Sequence, residues 1–156
     1  MADAIQLAVA SDPAEASVRA AAALAAAART GGSISLAGSN TPRRSYELLA
    51  AEPGIDWSQV HIWFGDERCV PPDDPALDER DRLAVAVVAS KPPPRRITLT
   101  LPVFERASAV LVLAPGESKA AAIAAVLRGP DRRYPASLLP ADRTTILTDP
   151  AGGRPS

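Results

Sequence analysis

Short apolar runs alternate along the chain with stretches in which apolar residues recur at helical spacing. The runs have the length of β-strands, and loops rich in glycine, proline and polar residues separate them. They lie at residues 5–9, 33–37, 60–64, 83–89, 96–101, 110–113 and 144–147. The run at 60–64 is apolar on both faces, which predicts a strand covered on both sides within a parallel sheet.

Three helices are predicted between these strands, over residues 13–29, 42–51 and 117–127. The first has Asp12 as N-cap, Pro13 at its first position and Glu15 as capping-box partner, and Gly31 ends it. Thr41 is the expected cap of the second. Strands that alternate with helices predict an α/β fold, with a three-layer, mainly parallel, Rossmann-like sheet and helices on both of its faces.

Length and composition narrow the class of protein. The 156 residues suffice for one domain with a buried core, here expected over 1–149, followed by a flexible tail at 150–156. A net charge of −1 argues against a nucleic-acid partner or a polybasic membrane surface. The single cysteine forms no internal disulfide, and no apolar run is long enough to cross a bilayer. These features predict a cytoplasmic protein.

The loop after the second predicted strand is the first candidate binding segment. Gly38, Ser39, Asn40 and Thr41 are small or polar and lead directly into a helix N-terminus. Free backbone N–H groups and the positive end of the helix dipole favour a phosphate at such a place, and Arg43 adds positive charge. An ordinary strand-to-helix turn capped by Thr41 accounts for the same residues, and both interpretations stay open.

A charged segment directly after residues 60–64 is the second candidate. Asp66, Glu67 and Arg68 follow an apolar strand, where charges are costly unless they face a solvated cleft. Ligands of open α/β sheets bind at the carboxyl ends of the strands. Arg68 is suited to bind a phosphate or stabilise an oxyanion, and Asp66 to orient a water or hydroxyl. A salt bridge at the strand end is the alternative.

The remaining reactive side chains give weaker signals. Lys91 and Arg96 flank a rigid proline turn, which by itself indicates a solvated basic loop. His61 is the only histidine and lies within a predicted strand, so we interpret it as a structural, hydrogen-bonded residue. Cys69 lacks a histidine partner and is interpreted as a packing residue. The sequence contains no Ser-His-Asp set, metal cluster or Walker loop, and no cofactor is expected.

Several segments, taken together and in order, resemble the 6-phosphogluconolactonase family of the glucosamine/galactosamine-6-phosphate isomerase superfamily. Residues 36–43 look like the family's L-A-G-G-S-T-P-R, and residues 55–71 look like its third strand with the loop D-E-R-x-V-P. Residues 91–100 resemble its K-P-P-x-R-I-T-L-T segment. Residues 116–119 and 135–139 resemble its G-x-x-K helix start and P-A-S motif. The resemblance covers nearly the whole chain.

Two departures from the family pattern limit what the resemblance implies. Ser39 stands where the family usually has a second glycine, and its Cβ is expected to tighten the loop. Near Pro75 and Ala76 the chain lacks a long block that in the family carries a central strand and the motif G-x-G-x-D-G-H-T-A-S-L-F-P. The histidine of that motif is the family's catalytic base. His61 matches a different family histidine, so an internal deletion of the catalytic segment is predicted.

The resemblance implies hydrolysis of 6-phosphogluconolactone to 6-phosphogluconate without metal or cofactor. In the family a histidine activates water and an arginine stabilises the oxyanion; Arg68 would be that arginine, with Asp66 beside it. The residues that would hold the 6-phosphate are Gly38, Ser39, Asn40, Thr41, Arg43, Lys91 and Arg96. General-base catalysis contributes about 10²–10⁴-fold, so a chain without the base is expected to be weak or inactive.

Two other functions remain open on the sequence. A non-catalytic protein that binds a sugar phosphate or a partner would keep the loop and Arg68, and could form a homodimer through the sheet edge that the deletion exposes. An amino-sugar-phosphate isomerase or deaminase of the same superfamily is the other alternative. Residues 91–100 argue against it, because they resemble the lactonases.

Overall fold

The computed structural model describes residues 4–65, 81–88 and 95–154, and it confirms the predicted α/β class. The strands are β1 (Gln6–Val9), β2 (Gly32–Ala37), β3 (Val60–Gly65), β4 (Ala84–Val88), β5 (Arg95–Leu99), β6 (Val110–Leu113) and β7 (Thr144–Thr148). The helices are α1 (Pro13–Arg29), α2 (Arg43–Ala50), α3 (Leu101–Arg106) and α4 (Ala120–Leu127). Among the described helices none has the length and apolarity needed to cross a membrane.

The strands pair mainly in parallel, as predicted, but the described part of the chain contains three small sheets rather than one. The first is parallel throughout and has the order β1-β7-β6. The second is the parallel pair β2-β3. The third is the antiparallel pair β4-β5, whose strands flank the predicted proline turn.

Helices cover both faces of the β1-β7-β6 sheet, which gives this part of the molecule the predicted three layers. Ala16 and Ala20 of α1 form one core cluster with Leu147 of β7. On the opposite face, Ile123 of α4 packs with Ile146. Because neighbouring residues of a strand point to opposite faces, Ile146 and Leu147 serve the two clusters separately. The strand β7 is therefore the centre of the core.

The start of α1 is built as the capping residues predict, with one difference. The Asp12 carboxylate accepts a hydrogen bond from the Glu15 backbone N–H at 2.8 Å. The Glu15 carboxylate reaches back to the backbone N–H of Ser11, one residue before the expected Asp12. Hydrogen bonds from Ser11 lower the pKa of Glu15. At the other end, Gly31 has a φ of +72°, the left-handed conformation that a helix C-terminus favours.

The short helix α3 was not predicted, because residues 96–101 continued the apolar pattern of a strand. The helix follows Thr100, whose backbone N–H and hydroxyl donate to the carbonyl oxygens of Leu83 and Arg82 at 3.1 and 2.6 Å. Pro102 lies in its first turn, where the missing N–H is no loss. The strand therefore ends at Leu99.

The prediction that β3 is buried on both faces is wrong. The side chains of Ile62, Trp63 and Phe64 are 45%, 62% and 79% exposed. The apolar pattern correctly gave a strand, and β3 pairs with β2 over its whole length. Whether the faces of β3 are buried depends, however, on which other elements pack against them, and the local sequence pattern does not determine this.

The carboxylate of Asp149 fixes the region just after β7. Its Oδ1 atom accepts hydrogen bonds from the backbone N–H groups of Gly116 and Gly152, both at 2.9 Å, and these lower the pKa of the carboxyl. Gly152 has no room for a side chain, because a Cβ would lie 2.3 Å from Thr148 Oγ1. Residues 150–154 thus form a hydrogen-bonded turn, and the flexibility expected for the tail stays a prediction.

Replacing Asp149 with alanine is expected to lower the free energy of unfolding by about 1.5–3 kcal/mol, the range for hydrogen bonds to a charged group. Because the folded pKa lies below the unfolded value of about 3.9, this stabilisation is present above that value and is lost as the pH falls through the folded pKa. As the pH falls, the free energy of unfolding of Asp149→Asn should therefore decrease less than that of the unaltered chain. Urea unfolding at a series of acidic pH values measures this. Asp81→Asn, at an exposed carboxylate, is the control, and equal pH dependence in both variants would contradict the role of Asp149.

Candidate functional site

The two candidate segments leave the same edge of one sheet. In the parallel pair β2-β3, Ala37 lies opposite Gly65, and each is the last residue of its strand. The loop that begins at Gly38 therefore starts beside the last residue of β3, at the carboxyl edge of the pair. Open α/β sheets bind ligands at this edge.

The structure describes only part of the predicted site. Gly38, Ser39, Asn40, Thr41 and Arg43 all lie within the described residues and come together at this edge. Asp66, Arg68 and Lys91 lie outside the described residues, and for Arg96 only the backbone position in β5 is described.

The loop from Gly38 to Thr41 is open to solvent along its whole length. A Cβ built at Gly38 would meet no atom within 4 Å, so the space above the loop is free. No described residue other than glycine has a positive φ, and Ser39 therefore fits the loop without backbone strain.

The first turn of α2 is left without a side-chain cap, contrary to the prediction for Thr41. Pro42 occupies the N-cap position, and α2 begins at Arg43. The Arg43 backbone N–H bonds the carbonyl oxygen of Asn40 at 3.3 Å, which closes a turn across the loop. Because no hydroxyl satisfies the next N–H groups, the positive end of the helix faces the solvent beside the loop. An anion is the kind of ligand that such a place favours.

Arg43 is placed beside the loop but is paired within its own helix. Its Nε atom lies 3.3 Å from Glu47 Oε1, and Arg44 contacts the other oxygen of Glu47 at 3.2 Å. The two guanidinium groups lower the pKa of Glu47. The Arg43 side chain is 77% exposed, and exposed pairs of this kind are weak, about 0.3–0.5 kcal/mol. A phosphate can therefore compete with Glu47 for Arg43.

Tyr46 was not predicted as part of the site, yet it holds the end of β2. Its hydroxyl accepts a hydrogen bond from the Ala37 backbone N–H at 2.8 Å and donates to the Ala37 carbonyl oxygen at 3.2 Å. Both bonds are made one residue before the loop. The tyrosine lies on α2, so it ties the strand and the helix on either side of the loop together. A tyrosine three residues after Arg43 gives no chemical signal in the sequence, which is why it was missed.

His61 does not lie where a catalytic base is needed. It is exposed, which corrects its interpretation as a buried structural histidine. It lies opposite Ser33, and it precedes Gly65 by four residues, roughly 13 Å along a strand. A general base must come within hydrogen-bonding reach, about 2.6–3.2 Å between heavy atoms, of the group whose proton it removes.

Nowhere in the described ranges do three or more His, Cys, Asp or Glu side chains form a group that could hold a metal ion.

Comparison with known proteins gives matches at the level of family and sequence. The profile of the family described as glucosamine-6-phosphate isomerases/6-phosphogluconolactonase matches residues 6–77 and 72–147. The 6-phosphogluconolactonase of Mycobacterium tuberculosis is 52% identical over 61 residues, 38% of this chain and 25% of that protein. The human 6-phosphogluconolactonase is 43% identical over 70 residues, 44% of this chain and 27% of that protein. The aligned part thus spans about a quarter of these relatives' length.

Solved structures share the fold at low sequence identity. A 6-phosphogluconolactonase from Shewanella baltica superposes with a TM-score of 0.75 at 17% identity, covering 92% of this chain and 97% of that one. A monomeric glucosamine-6-phosphate deaminase of the NagB superfamily gives a TM-score of 0.72 at 16% identity, covering 95% of this chain and 98% of that one. Because a lactonase and a deaminase match with similar TM-scores, and both at less than 20% identity, the likeness identifies the fold and not the reaction.

Tyr46→Phe keeps the aromatic ring and removes both hydrogen bonds to Ala37. We expect the Ala37 amide to exchange with deuterated solvent about fivefold faster, since a net hydrogen bond is worth about 1 kcal/mol. Amide exchange measured by NMR tests this. Tyr134→Phe, at the second of the two tyrosines, is the matched control and should leave the Ala37 amide unchanged. Equal exchange of the Ala37 amide in all three chains would rule out the stabilising role of the Tyr46 hydrogen bonds.

Proposed function

Because this chain belongs to the family of glucosamine-6-phosphate isomerases and 6-phosphogluconolactonases, we propose that it binds the phosphate of 6-phosphogluconolactone or 6-phosphogluconate and hydrolyses the lactone weakly or not at all. The observation that carries the binding proposal is the open loop 38–41, which lies beside an uncapped helix N-terminus. The similarity to 6-phosphogluconolactonases supports the choice of ligand.

Binding of the phosphate would use backbone and side-chain donors together. The backbone N–H groups of the loop and of the first turn of α2 are suited to the phosphate oxygens. Arg43 would exchange its exposed contact with Glu47 for the phosphate, a doubly charged and stronger acceptor. By resemblance, Lys91 and Arg96 would add two further positive charges.

The reaction would need two groups besides the phosphate site. Water attacks the lactone carbonyl, the C–O bond of the ring ester breaks, and the ring oxygen takes up a proton. By resemblance, Arg68 would stabilise the oxyanion and Asp66 would lie beside it. The water loses one proton as it attacks, and the ring oxygen takes up a proton as it leaves. His61 is not placed to take the first of these, because it lies roughly 13 Å from the end of β3 along the strand.

The missing base is best explained by a missing segment. The family profile matches the chain in two stretches that meet at residues 72–77. This supports the junction proposed near residues 75–76, at which the family's histidine motif is absent. Loss of general-base catalysis alone lowers a rate by about 10²–10⁴-fold. If the chain does not accelerate hydrolysis of the lactone at all, the second candidate function applies, which is non-catalytic binding of a sugar phosphate.

Binding can be tested without turnover by placing a side chain in the open space above the loop. Gly38→Val is expected to weaken binding of 6-phosphogluconate at least tenfold, or about 1.4 kcal/mol, in isothermal titration calorimetry. The variant should fold normally, because a Cβ at Gly38 meets nothing within 4 Å. Ser33→Val, at the exposed opposite end of β2, is the control and should bind like the unaltered chain. No binding by the unaltered chain, or equal binding by Gly38→Val, would contradict the proposed site.

Catalysis is tested separately by adding the chain to freshly generated 6-phosphogluconolactone and comparing the rate with spontaneous hydrolysis. We expect a rate close to the spontaneous one, and any acceleration should disappear in Arg68→Ala. A turnover that the purified chain sustains well above this rate would show that another group acts as base. Binding without acceleration would favour the non-catalytic function.

A further inference from the structure

Glu47 holds two arginines at the end of α2 that lies beside the loop 38–41. Its Oε1 atom lies 3.3 Å from Arg43 Nε, and its Oε2 atom lies 3.2 Å from Arg44 Nη1. The two arginines are the first two residues of the helix, and only Pro42 separates them from the loop. A carboxylate of the chain itself thus occupies a cationic group that the proposed phosphate site would use.

The contact with Glu47 directs one edge of the Arg43 guanidinium away from the loop. Glu47 lies four residues further along α2, roughly 6 Å along the helix axis. While the Arg43 Nε–H donates to the carboxylate, that edge of the guanidinium faces the second turn of the helix. Arginines bind phosphates through pairs of N–H groups on one such planar edge. A phosphate that uses this edge therefore has to displace Glu47.

Displacement of Glu47 from Arg43 leaves neither charge without a partner. The carboxylate keeps its contact with Arg44 through the other oxygen, and the Arg43 guanidinium passes to the phosphate. All three side chains are exposed, so the exchange requires no burial of charge. The hydrogen bonds from Arg44 and Arg43 lower the pKa of Glu47, so its carboxylate is charged at neutral pH. This charge competes for Arg43 and also repels an anion at the loop.

The charge of the ligand decides the competition. A ligand carboxylate is the same kind of acceptor as Glu47 and gains little by taking Arg43 from it. A phosphate ester at neutral pH carries a charge of about −1.5 to −2 and is a stronger acceptor. We propose that Glu47 is an internal competitor for Arg43 that sets how tightly the loop 38–41 holds a phosphate. This inference rests on the proposed function, because it takes the phosphate to bind at that loop.

Replacing Glu47 with glutamine tests the competition, because the amide keeps the shape of the side chain and removes its charge. Glu47→Gln should bind 6-phosphogluconate at least about threefold more tightly in isothermal titration calorimetry, since the exposed pair is weak and the repulsion is screened by salt. Glu52→Gln is the matched control. Glu52 follows the other end of α2 and pairs with Arg29 at 2.8 Å, so the same loss of charge there should leave the affinity unchanged.

The part played by Arg43 is tested by repeating the comparison in chains that also carry Arg43→Gln. In these chains the increase in affinity caused by Glu47→Gln should largely disappear, and an undiminished increase overturns competition for Arg43. NMR gives a direct signature. The Arg43 Nε–H resonance of the unaltered chain should shift when 6-phosphogluconate is added, because the donor changes its acceptor, and an unshifted resonance at saturation overturns the proposal.

Failure of this inference can be told apart from failure of the proposed function. If the unaltered chain binds 6-phosphogluconate and Glu47→Gln binds it equally or more weakly, only the role of Glu47 is overturned. An equal increase in affinity in Glu47→Gln and Glu52→Gln has the same meaning, since it reflects net charge alone. If neither the unaltered chain nor Glu47→Gln binds, the phosphate site itself is overturned and the inference with it.

Discussion

Packing of α1 against the β1-β7-β6 sheet is the interaction on which the other parts of the structure depend. The buried side of this helix consists largely of alanines, so its backbone approaches the sheet closely and meets Leu147 of the central strand. The same helix contacts α2 and β2 on its other sides. The position of the loop 38–41 relative to the core is therefore set by α1, although α1 contributes no residue to the site.

The sequence predicts most strands and the N-cap of α1 well, because these depend on neighbours in the chain, although the cap predicted at Thr41 is wrong. Asp12 finds its backbone partner three residues away, and the apolar run of β3 forms a strand as expected. Burial is different, since it depends on whether another element covers the strand. Ile146 and Phe64 both lie in apolar runs, yet Ile146 is buried under α4 and Phe64 is 79% exposed. The residues around each position in the sequence do not show which of the two side chains will be buried.

The order of strands and helices along the chain was enough to predict where the candidate site begins. The parallel pairing of β2 and β3 places Ala37 and Gly65 side by side, and these residues directly precede the two candidate segments in the sequence. The contacts within the site were not predictable in this way. Arg43 pairs with Glu47 on its own helix, and the Tyr46 hydroxyl holds Ala37 across nine residues of chain. The Arg43–Glu47 pair follows from i,i+4 spacing within the helix. The Tyr46 contact depends on a side-chain direction that is fixed only once α2 lies beside the end of β2.

Covering an exposed strand face and supplying a catalytic base make different demands on the chain. Covering β3 requires only apolar area, because the hydrophobic effect is non-directional and grows with the area removed from water. General-base catalysis instead requires one group within hydrogen-bonding distance of the reacting water, and His61 is three to four residues too early in its strand to provide it. The described part of the carboxyl edge of β2 and β3 is therefore suited to the proposed binding of a phosphate, whereas His61 is not placed to act there as a base.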